Sequence, residues 1–284
     1  MERGEVNFEF ALYGEVLEPR EGVVVVDVGS TCVPGVIDHH FAEAGEECAA
    51  TLVLKRGEEL VLGHLGQPIE QLTIVVHREP DFDALVSAYF VCALVCDGSL
   101  PPGSEALAQY ALLVDSGKIP PGGIGANAPC ALYAAAAHRI SSSGRPEEKE
   151  EQFKVWLARG FELIDLVLEE NPETDSDVRL PDELPGWGEY IAFLEEEWRL
   201  YASDRERAET FDIFLPSQCL DFDLEVPGIR CVSPSSALFR QLAQAEGFVL
   251  NHIVREDEAS KNRHIISVAP ESDVWLRGLG TALE

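Results

Sequence analysis

Two short apolar runs stand out in the first third of the chain. Val23–Val26 and Leu72–Val76 are rich in β-branched residues, and polar residues follow each run at once. Such runs are typical of buried parallel strands. Apolar residues then recur at helical spacing from Asp83 to Cys96, directly after the second run. This order of strand, polar turn and helix predicts the repeating unit of an α/β fold.

The rest of the pattern predicts further helices and a second group of strands. Helices are expected at Glu105–Val114, Ala131–Ile140, Glu147–Glu170, Gly188–Glu209 and near Ser235–Ala245, with a serine-rich linker at 141–146. Strands are expected at Ile213–Leu215, Ile229–Val232, Phe248–Val254 and Ile265–Val268. We therefore expect an α/β protein in three parts. These are a parallel-sheet domain over residues 1–140, a helical connector over 141–210 and a smaller α/β domain over 211–284.

The charge of the chain limits its partners. Among 284 residues, 51 are acidic and 21 are basic, which gives a formal net charge of -30 and a pI near 4.4. This field repels the phosphates of duplex nucleic acid and of anionic membranes. No apolar run reaches the roughly 20 residues of a membrane span, and the first residues lack an apolar signal core. We expect a cytoplasmic protein with no duplex nucleic acid and no membrane as partner.

The seven cysteines form no zinc-type pair, and we interpret them as reduced thiols in the core. Cys92 and Cys96 lie four residues apart on one predicted helix, a spacing that a soft metal or a redox pair could also use. Core packing is the preferred interpretation for both, because an unmodified cysteine behaves as a small buried hydrophobe.

Histidines and aspartates are concentrated just after the predicted strands. Asp27 follows the first strand, the triplet Asp38-His39-His40 follows the short apolar pair Val36–Ile37, and His77, Asp81 and Asp83 follow the second strand. Functional groups of open α/β sheets gather at these carboxyl ends. Neighbouring carboxylates repel one another unless a cation lies between them, and mixed imidazole and carboxylate ligands suit Mn²⁺, iron, Co²⁺ or Zn²⁺. Several carboxylates indicate two ions, a pair that typically serves phosphoester or phosphoanhydride hydrolysis.

These segments resemble the motifs of the DHH phosphoesterase superfamily, which includes manganese pyrophosphatases, exopolyphosphatases and phosphodiesterases of short RNAs. His77-Arg78-Glu79-Pro80-Asp81-Phe82-Asp83 is similar to its first motif. Val25–Gly29 resembles the second motif, Ile37–His40 the third and Leu113–Gly117 the fourth. The resemblance covers residues 23–119, and the motifs occur in the order second, third, first, fourth. A parallel sheet tolerates such a rearrangement if the same strands occupy the same positions.

The resemblance implies two Mn²⁺ ions, with Mg²⁺ or Co²⁺ as alternatives. The implied metal ligands are Asp27, His39, His77, Asp81, Asp83 and Asp115. In the family pattern the residue at Asp27 bridges both ions. His77 and Asp81 hold one ion, whereas Asp83 and His39 hold the other. Asp115 is a second bridging or terminal ligand, or else an ordinary aspartate at a helix end.

The resemblance also implies catalytic and substrate-binding residues. Asp38 orients His39, and His40 faces the scissile phosphate. The smaller domain supplies basic groups to the substrate, and the candidates there are Arg255, Lys261, Arg263, His264 and Arg277. Lys118 of the first domain is a further candidate. Arginine suits this task because its planar fork binds two phosphate oxygens.

We therefore expect a two-metal-dependent phosphohydrolase in which a metal-bridging hydroxide attacks phosphorus. The strong negative charge favours a compact substrate, such as a short oligonucleotide, a nucleotide or a polyphosphate. The alternative is a catalytically inactive, DHH-like regulatory protein that binds a metal or a nucleotide. A third hypothesis, a structural protein that binds partners through the acidic helices at 147–209, rests on charge alone. A homodimer is left open.

Overall fold

The computed structural model describes residues 6–41, 46–66, 69, 71–120, 122–123, 128–143, 149–172, 178–215, 224–256 and 262–269. These residues form a mixed α/β structure with two sheets, the first of which is mostly parallel. The predicted fold class is therefore observed at this level. None of the described helices combines the length and the apolarity needed to cross a bilayer.

The first sheet has five strands. They are β1 (Asn7–Ala11), β2 (Val23–Val26), β3 (Cys32–Val33), β4 (Val36–Ile37) and β5 (Thr73–His77). Their order is β1-β5-β2-β4-β3, and only β3 runs antiparallel to its neighbour. β5 pairs with β1 on one side and with β2 on the other, so the two apolar runs of the sequence are adjacent parallel strands. Both are buried, as their continuous apolar sequences predict.

Six helices follow or surround this sheet. They are α1 (Ala49–Gly57), α2 (Gly63–Leu65), α3 (Phe82–Cys96), α4 (Ser104–Asp115), α5 (Pro129–Ser143) and α6 (Lys149–Glu170), with a π-helical segment at Glu58–Leu62. Every residue of α3 from Phe82 to Leu94 is buried, which identifies it as the central helix of the domain. The apolar stripe of α6 packs into the same core. Gly160 permits this approach, because a Cβ there would lie 2.3 Å from a methyl group of Leu85.

The second sheet belongs to the C-terminal part of the chain. Helix α7 (Gly188–Arg207) leads into β6 (Glu209–Leu215), β7 (Leu224–Val232), α8 (Phe239–Ala245), β8 (Leu250–Glu256) and β9 (Asn262–Val268). The strands lie in the order β6-β7-β8-β9, with a parallel pair in the middle and antiparallel pairs at the edges. A separate small core joins this sheet to α8, to Tyr201 of α7 and to the alanine face of α5.

Most predicted elements are present with bounds shifted by a few residues, whereas other details differ. Strands β1 and β3 and the helical segments from α1 to α2 were not predicted. The serine-rich linker was wrong at its start, because Ser141–Ser143 continue α5. Serine costs a helix only a few tenths of a kcal/mol more than better formers, so three serines do not end it. Residues 144–148 lie outside the described part. The division into three domains stays a prediction, and α6 of the expected connector shares the core of the first sheet.

Candidate metal centre

Three neighbouring strands bring the segments rich in aspartate and histidine to one edge of the first sheet. His77 is the last residue of β5, Asp27 follows β2, and Asp38 follows β4. Because β5, β2 and β4 are adjacent and parallel, their carboxyl ends meet at this edge. The rearranged order of the segments in sequence therefore does not keep them apart in space.

Asp27 lies at the centre of this group and is fully buried. One carboxylate oxygen, Oδ1, is 3.1 Å from His39 Nε2, and the other, Oδ2, is 3.3 Å from His77 Nε2. The backbone at Asp27 has a positive φ of 58°, which is uncommon for a residue with a side chain. This turn directs the carboxylate between the two imidazoles instead of along the strand. Such strained backbone is characteristic of functional sites.

One ligand group consists of Asp27, His77 and Asp81, whose ligand atoms all lie within 4.8 Å of one another. Asp81 is the N-cap of α3, where its Oδ1 accepts hydrogen bonds from the backbone N–H groups of Asp83 and Ala84. Its Oδ2 lies 3.6 Å from His77 Nε2. The Asp81 side chain is 57% exposed, so this group opens to solvent.

A second ligand group consists of His39, Asp83 and Asp115, again with ligand atoms within 4.8 Å. His39 Nε2 lies 3.6 Å from Asp83 Oδ2 and 3.8 Å from Asp115 Oδ2. Asp83 is buried at the start of α3, and its two oxygens accept hydrogen bonds from Ala49 N and Ala50 N, at 2.7 and 2.9 Å. The N-terminus of α1 therefore fixes this carboxylate and stabilises its negative charge. Asp115 is the last residue of α4 and completes the group from the opposite side.

Asp38 fixes the two histidines that follow it. Its Oδ2 accepts a hydrogen bond from Ser30 N, and its Oδ1 accepts bonds from the backbone N–H groups of His39 and His40 and from His40 Nδ1. Both oxygens are thus used within the protein, so Asp38 positions other residues. His40 is held at 2.8 Å from Asp38 and also forms a third possible ligand group with Asp27 and His39.

The electrostatics of the centre reflect five carboxylates around three imidazoles. Burial lowers the pKa of each ligand histidine, but the adjacent Asp27 carboxylate and the negative charges of the neighbouring aspartates reverse this effect. The pKa of His39 rises to about 9 and that of His77 to about 11. Burial and the negative charges of its neighbours raise the pKa of Asp115 to about 6, and the same causes raise the pKa of Asp83 well above its ordinary value. In the metal-free protein, protons therefore neutralise part of the charge.

Two buried atoms of the first ligand group show whether a cation would fit here. Asp27 Oδ2 and His77 Nε2 are both buried, and neither has a hydrogen-bond partner within the part of the chain that the structure describes. Unpartnered buried polar atoms are rare and call for an explanation, of which an ion is one. A cation that accepts both atoms as ligands satisfies them at once. The aspartate and histidine clusters of this centre could thus bind a metal ion, and their donor set suits a transition metal.

A cavity of about 500 Å³ opens beside the second ligand group. Asp81, Asp83 and Asp115 form one wall, and Arg240 and Gln241 of α8 form part of another. The cavity therefore lies between the metal-ligand cluster and the C-terminal part of the chain. Its volume is within the usual range for small-molecule sites.

The remaining walls of the cavity come from α5 and α6. Tyr133 and Trp156 supply aromatic surface, and His138 supplies an imidazole that stacks on Phe193. The ring centroids of Tyr133 and Trp156 are 5.5 Å apart. An apolar wall next to a polar, acidic wall suits a ligand with an organic part and a charged end.

The residues predicted to bind substrate do not line this cavity where they are described. Lys118 is exposed after α4, and Arg263 and His264 are exposed on β9. His264 Nδ1 lies 2.9 Å from His252 Nε2, and the backbone of Arg263 pairs with that of Arg255. Lys261 and Arg277 lie outside the described residues. The cation that reaches the cavity is Arg240, which sequence reasoning missed because nothing local distinguishes it from other arginines.

Two other features of the site were missed. The N-terminus of α1, which binds Asp83, begins a recognisable helical run, Ala49–Arg56. The apolar spacing of this run could have predicted the helix. Tyr13, after β1, is in edge contact with the rings of His40 and His77. Burial and the negative charges of Asp27 and Asp81 raise the pKa of Tyr13 to about 12. No sequence signal marks this tyrosine as a site residue.

No protein-family model, no curated protein and no solved structure matches this chain, so the resemblance to the DHH superfamily rests on its motifs alone.

Proposed function

We propose that this protein is a two-metal phosphohydrolase that acts on a compact phosphorylated substrate, with Mn²⁺ as the preferred metal. One observation carries the proposal: two ligand groups lie on either side of a single buried carboxylate, Asp27, which contacts a histidine of each group. Two ions that share a carboxylate are the arrangement used for in-line displacement at phosphorus. When bound, the ions supply an activated water and neutralise charge on the phosphoryl group.

The protein residues have separate roles in this proposal. Asp27, His77 and Asp81 hold one ion, and His39, Asp83 and Asp115 hold the other. Asp38 keeps His40 in one orientation through the 2.8 Å contact to Nδ1, and an imidazolium in this position can donate a hydrogen bond from Nε2 to a phosphoryl oxygen. Fixed donors of this kind stabilise charge as it develops on the reacting group.

The cavity next to Asp83 and Asp115 accommodates the rest of the substrate. Arg240 pairs with a phosphate oxygen, and the aromatic surface of Tyr133 and Trp156 contacts an organic group. The net charge of -30 repels long polyanions, whereas one or two phosphates can be neutralised locally by two ions and an arginine. These features favour a nucleotide or a very short oligonucleotide over a long polymer.

The experiment that tests this function combines metal analysis with a hydrolysis screen. Purified protein is dialysed against Mn²⁺, the bound metal is counted, and phosphate release is measured on pyrophosphate, a 5′-phosphorylated dinucleotide and a cyclic dinucleotide. We expect two ions per chain and turnover of at least one compound. Asp212→Asn, which changes an exposed acid on β6, is the control and should leave both readouts unchanged.

Two results would contradict the proposal. If fewer than two Mn²⁺ ions bind at millimolar metal, the ligand assignment is wrong. If two ions bind but none of the compounds is hydrolysed, the regulatory alternative replaces the enzyme.

A further inference from the structure

Tyr13 is held at the rim of the metal centre by a turn that follows the edge strand β1. Arg78 N donates a hydrogen bond to Ala11 O at 2.8 Å, which continues the pairing of β1 with β5 up to the turn. Within the turn, Glu15 N donates to Leu12 O, and Leu12 N donates to the carboxylate of Glu15, both at 3.0 Å. Gly14 takes the positive φ of 79° that closes the turn.

The chain after Tyr13 is fixed as well. Val16 forms a β-bridge with Gly29, and Leu17 N donates a hydrogen bond to Gly29 O at 3.3 Å. Gly29 lies two residues beyond Asp27, so the turn is attached to the same loop that carries the central ligand. Tyr13 is therefore anchored on one side to the strand of His77 and on the other to the loop of Asp27.

The ring of Tyr13 contacts the rings of two histidines of the centre. Its centroid lies 5.0 Å from that of His40 and 5.8 Å from that of His77, both in edge-to-face geometry. Tyr13 is nevertheless 66% exposed, so burial of the ring contributes little to the stability of the fold.

Tyr13 contacts a part of the ligand cluster that does not line the cavity. The cavity is bounded by Asp81, Asp83 and Asp115, and Tyr13 is not among the residues that line it. Tyr13 instead contacts the side formed by His40 and His77. A phosphoryl group bound at the metal centre next to His40 and His77 would therefore be close to the Tyr13 ring.

We infer that Tyr13 is a further catalytic residue, whose hydroxyl donates a hydrogen bond to a non-bridging oxygen of the phosphoryl group bound at the metal centre. The phenol stays protonated throughout and transfers no proton. This inference rests on the proposed function for the nature of the ligand. It adds a substrate contact that comes from β1, an element outside the resembling segments.

The test compares Tyr13→Phe, which removes only the hydroxyl, with Leu12→Ala, an exposed neighbour in the same turn. Binding of inorganic phosphate to the Mn²⁺-loaded protein is measured by calorimetry at pH 7, and Mn²⁺ binding is measured separately. We expect the Phe variant to bind phosphate about tenfold or more weakly, which is the usual effect of losing a hydrogen bond to a charged group. Its Mn²⁺ affinity and the phosphate affinity of Leu12→Ala should match those of the unchanged protein.

Tyr13→Ala serves as the second variant. If Tyr13→Phe binds phosphate normally, the hydroxyl makes no such contact and the inference is wrong, whether or not Tyr13→Ala is impaired. A defect in Tyr13→Ala alone would assign the ring a packing or stacking role instead. Phosphate binding that depends on the hydroxyl, in a protein that hydrolyses nothing, would support the inference while the proposed function fails.

Discussion

Buried carboxylates occur in two regions of this protein, and their surroundings differ. At the first sheet, Asp27 and Asp83 are buried among other acids, and Asp27 Oδ2 has no hydrogen-bond partner among the described residues. At the second sheet, Glu197 and Asp204 of α7 are equally buried. Glu197 Oε2 accepts hydrogen bonds from Ser236 Oγ and Leu238 N, and Asp204 accepts one from Ser236 N and pairs with Arg207.

The difference separates two uses of the same chemical group. A buried carboxylate that is fully hydrogen-bonded fixes structure, and here Glu197 and Asp204 hold the loop that leads into α8 and thereby position Arg240. A buried carboxylate beside other carboxylates and with an unpartnered oxygen costs free energy in the metal-free protein. A bound cation would offset this unfavourable free energy, which is why we propose metal binding for the first region.

The strongest test of this comparison is Asp27→Asn, which keeps the shape of the side chain and removes its charge. Asn also tolerates the positive φ at this position. We expect activity to fall at least about a thousandfold, because the variant lacks the carboxylate that both ligand groups share. Mn²⁺ at one hundred times its Kd should raise the free energy of unfolding of the unchanged protein by about 2.7 kcal/mol per site, and most of this stabilisation should be absent from the variant. Thermal unfolding with and without Mn²⁺ measures the stabilisation.

Retained turnover by Asp27→Asn would mean that Asp27 bridges nothing. If the variant is unfolded in the absence of metal, Asp27 is needed for the fold itself, as Asp204 is, and the two regions no longer differ.

The second test is Asp204→Ala in the structural region. It leaves the buried Ser236 N without its acceptor and removes the ion-pair partner of Arg207, so the free energy of unfolding should fall by about 2–3 kcal/mol. Urea denaturation measures the loss, which should be the same with and without Mn²⁺. If Mn²⁺ compensates for the substitution, the two carboxylate regions are coupled and the comparison fails.

The third test uses pH, because the two regions respond in opposite directions. The pKa values of His39 and His77 are raised from 6.5 to about 9 and about 11. Their contribution to stability is therefore complete below pH 6.5 and is lost as the pH rises through these values. We expect the metal-free protein to lose several kcal/mol between pH 6.5 and 9, measured by urea denaturation in a chelator.

Variants of the two regions sharpen this test. Asp27→Asn should flatten the loss, because the adjacent Asp27 carboxylate raises both histidine pKa values. Asp204 behaves differently, since hydrogen bonds lower its pKa despite burial and its contribution disappears only as the pH falls below its ordinary value near 3.8. Asp204→Ala should therefore keep the full loss between pH 6.5 and 9. An equally flat profile for Asp204→Ala would contradict the assignment.

The smallest expected effect concerns the arginine that the structural region positions. Arg240→Gln should raise KM about tenfold with little change in kcat, because Arg240 lines the cavity and contacts the substrate away from the reacting atoms. Arg263→Gln is the matched control, since Arg263 is exposed on β9 and does not line the cavity. Steady-state kinetics on the best substrate of the screen decides between them. A raised KM for Arg263→Gln alone would restore the sequence-based prediction.

The sequence predicted much of the first sheet because its signals are local. The runs Val23–Val26 and Leu72–Val76 are short, apolar and β-branched, and both are strands of nearly the same length. The edge strand β1, Asn7–Ala11, was missed because its apolar and acidic residues alternate only briefly. The candidate ligands could be chosen because aspartate and histidine right after a strand are a local pattern as well.

The sequence by itself thus determined which residues could bind metal, through residue type and distance from a strand end. Only the tertiary structure decided that they meet, because the insertion of β5 between β1 and β2 depends on backbone pairing between segments 50 and 66 residues apart. It also decided that Arg240 and Tyr13 reach the site while Arg263 does not. Those positions follow from the packing of α7 on α8 and from the turn after β1. Neither contact can be predicted from residue types along the chain, because each joins segments that are distant in sequence.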